Sequence, residues 1–283
     1  MNLATELEIC NKYKNGGSPS KITDEYNINQ YAIYRILKRN GFNTRAKKTH
    51  AYKEDVFDSV DTELKAYVLG LITSDGYIAN KNNRYIVQLS STDKEIPSFL
   101  AELIEYPRPL YFISSEGVTR RTLDEWRIMI CSKRLVLALE KLGVVNNKST
   151  REVFYEGMPE GLTRHYIRGI CDGDGYLGLY PVKNSIPQSS IGICGSMHIL
   201  KAISGTFDTI LNVPQTKIGI RDSGLAILQY RGNRTAKTIC KWLYTDCNYY
   251  LPRKHAIAQR ILDLKTPKEL EIEKQRSLQH ALF

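Results

Sequence analysis

Asp75 and Asp174 lie 99 positions apart in the same short pattern, and this recurrence carries the chemistry the sequence suggests. Residues 66–79 read AYVLGLITSDGYIA and residues 165–178 read HYIRGICDGDGYLG. In that register Tyr67 falls on Tyr166, Gly70 on Gly169, Gly76 on Gly175 and Tyr77 on Tyr176. Gly70 and Ser74 are four apart, as are Gly169 and Gly173, so each pair shares one face of a helix. Small residues on that face let two helix backbones approach closely, with an Asp at the same end of each. The glycine after each Asp reads as a flexible C-terminal stop. Two carboxylates held together repel, and one takes up a proton unless a cation lies between them. Mg²⁺, with Mn²⁺ able to substitute, suits such a pair because it prefers carboxylate and water ligands and bridges to phosphate. A metal held this way polarises a phosphodiester and activates water. Asp172, whose counterpart in the first copy is Thr73, reads as incidental.

The elements that must position these acids repeat as well. Each motif helix leads into a strand (Tyr85-Ile-Val-Gln-Leu-Ser; Ser190-Ile-Gly-Ile-Cys) and then an apolar helix (Ile96 to Ile104; Met197 to Leu211). Hairpin-like stretches follow, LYFISS with EWRIMICS and TKIGI with LAILQYRG, and each copy closes on a further helix. The order is helix, two strands, helix, two strands, helix, which makes the class α+β. Polar and apolar residues alternate along the strands, so each sheet buries one face and solvates the other. The pseudo-symmetric repeats span 62–155 and 160–262.

Ahead of them, residues 1–48 read as short helices. The stretch SPSKITDEYNINQYAIYRILKRNGF resembles small DNA-binding helix-turn-helix domains. Its second helix carries Gln30, Tyr31, Tyr34, Arg35, Lys38 and Arg39 as candidate DNA contacts. Residues 49–61 read as a linker and 263–283 as a C-terminal tail.

Composition narrows the partner. The 283 residues carry a formal net charge of +10 and 18 tyrosines. Nine basic residues against four acids in the first fifty supply half of that charge. Cations neutralise phosphates and aromatic rings stack, so a polyanion partner fits. Six cysteines without a C-x-x-C pair suit reduced thiols in an intracellular compartment. The longest apolar run, Ala66 to Ile72, is too short to span a bilayer, and the acidic N-terminus is unlike a secretory signal.

VLGLITSDG (68–76) and IRGICDGDG (167–175) resemble the two motif helices of the LAGLIDADG homing endonuclease family. The resemblance covers roughly residues 62 to 262. It implies a saddle of two antiparallel sheets on the DNA major groove and Mg²⁺-dependent double-strand cleavage of a long asymmetric site, leaving 3′ overhangs. It implies Asp75 and Asp174 as metal-binding acids, with backbone carbonyls of Ser74 and Gly173 as further ligands. It also implies a lysine near each scissile phosphate, for which Lys148 and Lys254 stand at matching points. Outward strand residues meet the DNA: Lys81, Arg84, Gln88, Arg120, Arg121 and Arg127 in the first copy, and Lys183, Gln188, Lys217, Arg221, Gln229 and Arg231 in the second. Arg and Gln read base edges, whereas Lys mainly meets phosphate. The expected partner is double-stranded DNA, bound by a monomer without membrane or nucleotide cofactor. The expected location is the cytoplasm or an organellar matrix, as for a phage or mobile-intron product.

Other chemistries fit less well. As an EF-hand, Asp172-Gly-Asp174-Gly-Tyr176 places Tyr at a ligand position and Lys183 where a bidentate Glu is needed. There is no Gly-rich phosphate loop ending in Lys-Ser/Thr and no H-x-x-x-H pair. An RNA-splicing maturase or a silent DNA-binding regulator of the same fold are the alternatives. Retention of both acids argues against the regulator, and the helix-turn-helix argues against the maturase. The chain ends carry no splicing nucleophile and no His-Asn pair, so an intein is not expected.

Overall fold

The computed structural model describes residues 3–42, 52–116, 123–145, 151–183, 185–221 and 225–265. The chain divides into two compact units, Met1–Ala51 and Tyr52–Phe283.

The first unit holds α1 (Leu3–Lys14), α2 (Pro19–Tyr26) and α3 (Gln30–Arg39). Ser18 caps α2 by accepting from the Lys21 amide, with Pro19 at the first helical position, where its missing N–H costs nothing. Asn27 takes a left-handed conformation, a role Asn tolerates, and Asn29 caps α3 two residues later. This tight turn presses Ile22, Ile33, Ile36 and Leu37 into a core with Ile9 and Cys10. Gln30, Tyr31, Tyr34, Arg35, Lys38 and Arg39 are all exposed, and Arg39 also pairs with Glu6.

The second unit is built twice on one plan. The first copy runs α4 (Glu63–Asp75), β1 (Gly76–Lys81), β2 (Arg84–Ser91), α5 (Glu95–Leu103), β3 (Tyr111–Ile113), β4 (Glu125–Cys131) and α6 (Lys133–Lys141). The second runs α7 (Glu160–Asp174), β5 (Gly175–Val182), β6 (Ser185–Gly195), α8 (Met197–Leu211), β7 (Gly219–Ile220), β8 (Ala226–Arg231) and α9 (Asn233–Tyr244). Each copy forms a four-stranded antiparallel sheet, in the orders β1-β2-β4-β3 and β5-β6-β8-β7. The β1–β2 hairpin turns through Asn82 and Asn83, both at positive φ, as a two-residue turn that matches strand twist requires.

Alternation sorts the faces. Ile78, Val87, Leu89, Ile128 and Ile130 point into the core from the first sheet; Leu177, Ile191, Ile193, Leu228 and Ala226 do so from the second. Tyr77, Gln88 and Met129 form one cross-strand row on the opposite face of the first sheet. Tyr176, Gly192 and Gln229 form the matching row in the second.

Two elements depart from the sequence reading. Residues 52–61 are not a spacer: Tyr52, Val56, Phe57 and Val60 are buried in the main core. Tyr52 Oη donates to the Cys131 carbonyl at 3.0 Å, and the Lys53 amide to the Ile104 carbonyl at 2.8 Å. The charged residues that give this stretch its polar look lie between those anchors. The second copy also gains a further helix, α10 (Pro252–Leu262), packed against α9 and β5.

Candidate active site

The site begins where α4 and α7 cross. Every residue of α4 from Ala66 to Thr73 is buried, as a helix enclosed on all sides requires. At the crossing the two backbones touch through glycine. A Cβ on Gly70 would stand 2.9 Å from Gly169 Cα and from Ile170 N, and closer still to the Tyr166 carbonyl oxygen. A Cβ on Gly169 would stand 2.9 Å from Gly70 Cα and 3.0 Å from Leu71 N, the same arrangement turned about the pseudo-twofold axis. Further along, a Cβ on Gly173 would meet Ser74 Cβ at 2.6 Å and Asp75 Oδ2 at 2.9 Å.

That last distance sets the geometry of the acids. Asp75 and Asp174 are the final residues of α4 and α7. The Asp75 carboxylate lies against the backbone of Gly173, one residue from Asp174. Both acids sit where helix carbonyls gather partial negative charge, so the ensemble favours a cation. Asp75 is exposed and Asp174 half-buried. Gly76 and Gly175, read from sequence as flexible stops, are in extended conformations, φ −72° and −99°. Space demands glycine there: a Cβ would come within 2.6 Å of the Ile72 carbonyl oxygen or 2.5 Å of the Cys171 carbonyl oxygen.

A cleft of about 630 Å³ opens beside Asp174, lined among others by Ser74, Glu152, Tyr176, Cys194 and Arg221. Ser74 comes from the first copy, so the cleft spans both. Among the described residues no group of three or more His, Cys, Asp or Glu forms a self-sufficient metal cage. The donors at hand are two carboxylates and helix-terminal carbonyls. Such an incomplete all-oxygen set fits Mg²⁺, which keeps waters and takes substrate phosphate as a ligand.

Asp172 corrects the sequence reading most sharply. It is fully buried and accepts hydrogen bonds from Tyr67 Oη (2.8 Å), Tyr244 Oη (2.7 Å) and the Leu251 amide (2.8 Å). Burial pushes its carboxyl above the ordinary carboxylate range, and the three donors pull it back. The pseudo-symmetric contact is Tyr166 Oη with Thr73 Oγ1 at 3.3 Å. An acid in one copy and a hydroxyl in the other therefore occupy equivalent places, each met by the tyrosine of the opposite helix.

Lys254 also differs from expectation. It is 3% exposed, and its ammonium donates to the carbonyls of Cys171 (2.8 Å), Asp172 (2.6 Å) and Gly175 (2.6 Å), with Gly173 at 3.4 Å. Its position on the first turn of α10 aims it at the end of α7, where it meets backbone. Lys148 lies outside the described residues, as do Arg120 and Arg121.

Arg168 went unremarked in the sequence. It is fully buried and donates to the Tyr249 carbonyl (2.8 Å), the Leu243 carbonyl (2.9 Å) and Glu63 Oε1 (2.7 Å). Its guanidinium also lies 5.2 Å from the Tyr67 ring centre. Nearby His165 is pushed down to about 4, first by burial and then by the Arg168 charge.

The candidate DNA contacts sort by face. Lys81, Arg84 and Lys183 are exposed at hairpin ends, and Lys217 is exposed ahead of β7. Gln88 and Arg127 share the outward face of the first sheet; Gln188, Gln229 and Arg231 share that of the second. Gln229 donates to Tyr176 Oη while accepting from Arg231 at 3.0 Å, so the three side chains are linked across that face. Arg221 is drawn into the cleft beside Asp174.

No family model and no curated protein matches the chain. Among solved structures it is similar to the LAGLIDADG homing endonuclease I-LtrWI bound to target DNA, at 13% identity over 70% of this chain and 89% of that one, TM-score 0.46. It is similar to the homing endonuclease I-WcaI bound to its DNA recognition sequence, at 13% identity over 77% and 96%, TM-score 0.49. It is similar to the meganuclease I-SmaMI bound to uncleavable DNA, at 11% identity over 78% and 99%, TM-score 0.47.

Proposed function

We propose that the chain is a site-specific DNA endonuclease of the LAGLIDADG type, cutting both strands of a long asymmetric duplex site and leaving 3′ overhangs. The observation that supports this reading is a carboxylate at the matching end of each of two helices whose crossing glycines leave no room for side chains between α4 and α7.

Asp75 and Asp174 would hold Mg²⁺ with the carbonyls of Ser74 and Gly173. When bound, the ion supplies Lewis-acid polarisation of the phosphodiester and a water made acidic enough to attack at neutral pH. The chain's own residues orient the substrate. The outward faces of the two sheets offer polar side chains, and they differ row by row: Tyr77–Gln88–Met129 in the first corresponds to Tyr176–Gly192–Gln229 in the second. Different rows read different half-sites, so the preferred site is asymmetric. One chain carries both halves and acts as a monomer. Residues 1–51 lengthen the recognised site through the exposed face of α3. Their removal weakens binding while cleavage by the remainder persists; unchanged affinity would contradict that role. Among the described residues no helix is long and apolar enough to cross a membrane.

The test is incubation of the protein with a plasmid carrying the DNA that flanks its own gene, with Mg²⁺ or with EDTA. A linear product with 3′ overhangs in Mg²⁺ alone supports the reading. Intact plasmid at every metal tried, over that locus and a randomised site library, overturns it.

A further inference from the structure

The last turn of α7 carries Asp174, and that turn is held from two directions. From the side-chain direction, Asp172 accepts from Tyr67 on α4, Tyr244 on α9 and the Leu251 amide just before α10. From the backbone direction, the Lys254 ammonium takes the carbonyls of Cys171, Asp172 and Gly175. Of these, the Asp172 carbonyl belongs to the last turn of α7, where carbonyls have no partner within the helix. In water they would be solvated; here they are buried, and a cation satisfies them while opposing the negative end of the helix dipole. Three elements from both repeats thus converge on five residues, 171 to 175.

We infer that Lys254 is a positioning residue: together with Asp172 it braces the end of α7 and so fixes where the Asp174 carboxylate stands. Resting on the proposed nuclease reading, this gives Lys254 a role other than contact with the scissile phosphate. An ammonium has three hydrogens, and three carbonyls within 2.8 Å already take them. Turning it toward DNA would abandon buried carbonyls, each costly to leave unpaired. The Gly175 amide closes the same turn on the Cys171 carbonyl, so loosening the brace frays the residues on both sides of Asp174.

The test compares the full chain with Lys254→Met, which keeps length and removes charge, and with Tyr244→Phe, which removes one donor to Asp172. Amide hydrogen exchange is followed at residues 171–176, and single-turnover cleavage is titrated with Mg²⁺. Loss of a charge-assisted hydrogen bond predicts roughly tenfold or greater acceleration of exchange in that segment for Lys254→Met. It also predicts a similar rise in the Mg²⁺ needed for half-maximal cleavage, with the rate at saturating Mg²⁺ largely recovered. Tyr244→Phe moves both in the same direction by less, and answers if Lys254→Met does not fold. Unchanged exchange overturns the inference. So does a fall of a hundredfold or more at saturating Mg²⁺ with the metal requirement unmoved, the signature of a phosphate contact. If the wild type cuts no DNA, the nuclease reading fails and the exchange measurement alone decides the brace.

Discussion

Replacing Gly70 by alanine puts the central packing to a quantitative test. The new methyl would stand 2.9 Å from Gly169 Cα and from Ile170 N, nearer still to the Tyr166 carbonyl oxygen. Carbon atoms rest at about 3.5–4.0 Å from non-bonded neighbours. The obstacles are all backbone, so no rotamer change relieves them, and α4 and α7 must part by about 1 Å. Overpacking a core costs about 1–3 kcal/mol, and a clash with backbone belongs at the upper end. Alanine's better helix propensity returns up to about 1 kcal/mol. The net loss is about 2 kcal/mol, and Gly169→Ala should match it. Gly161 and Gly205 serve as internal controls, since each is helical with nothing within 4 Å of a built Cβ. There alanine should stabilise by about 0.4–1 kcal/mol. Urea unfolding followed by tryptophan fluorescence measures all four, because both tryptophans, Trp126 and Trp242, lie in the second unit. If Gly70→Ala proves as stable as the wild type, the close helix crossing and the carboxylate pairing built on it are wrong.

Two further effects follow from the buried charges. Arg168→Met should cost about 3–5 kcal/mol in the same assay, because it strands two buried carbonyls and leaves Glu63 short of its cation. Arg134→Met, which breaks an exposed, solvent-screened pair with Asp58, should leave the urea midpoint nearly unchanged. The pH dependence of stability should carry the signature of His165, held at about 4 in the folded protein against an ordinary 6.5. Between those values the unfolded chain binds a proton that the folded one refuses, so stability falls as pH falls below 6.5 and is unaffected above it. Between pH 7 and pH 5 the loss is about 2 kcal/mol. His165→Gln should flatten the urea-midpoint profile over that window; an unaltered slope would show that His165 is protonated in the fold.

The motif helices and the order of helices and strands along the chain were legible because their signals are local and occur twice. Small residues four apart, alternating strands and a constant 99-residue offset need no knowledge of the fold. Asp172 was misread for the opposite reason. Its donors lie at positions 67, 244 and 251, and nothing near residue 172 announces them. Arg168 and Lys254 look like surface cations because their carbonyl partners leave no trace in side-chain type. Residues 52–61 read as linker because five charged residues and a serine accompany only four apolar ones. The mismatch of Asp172 with Thr73 in the aligned copies hides that the two positions take equivalent tyrosine contacts.

The central claim is that Asp75 and Asp174, one from each repeat, act together on duplex DNA. Asp75→Asn and Asp174→Asn, each assayed for binding by gel shift in Ca²⁺ and for cleavage in Mg²⁺, test it most directly. Each substitution should lower double-strand cleavage by about a thousandfold or more, since metal-assisted stabilisation supplies several kcal/mol and each 1.4 kcal/mol is tenfold. Affinity for the site should stay within a few-fold of wild type. Cleavage undiminished in either variant would contradict the claim.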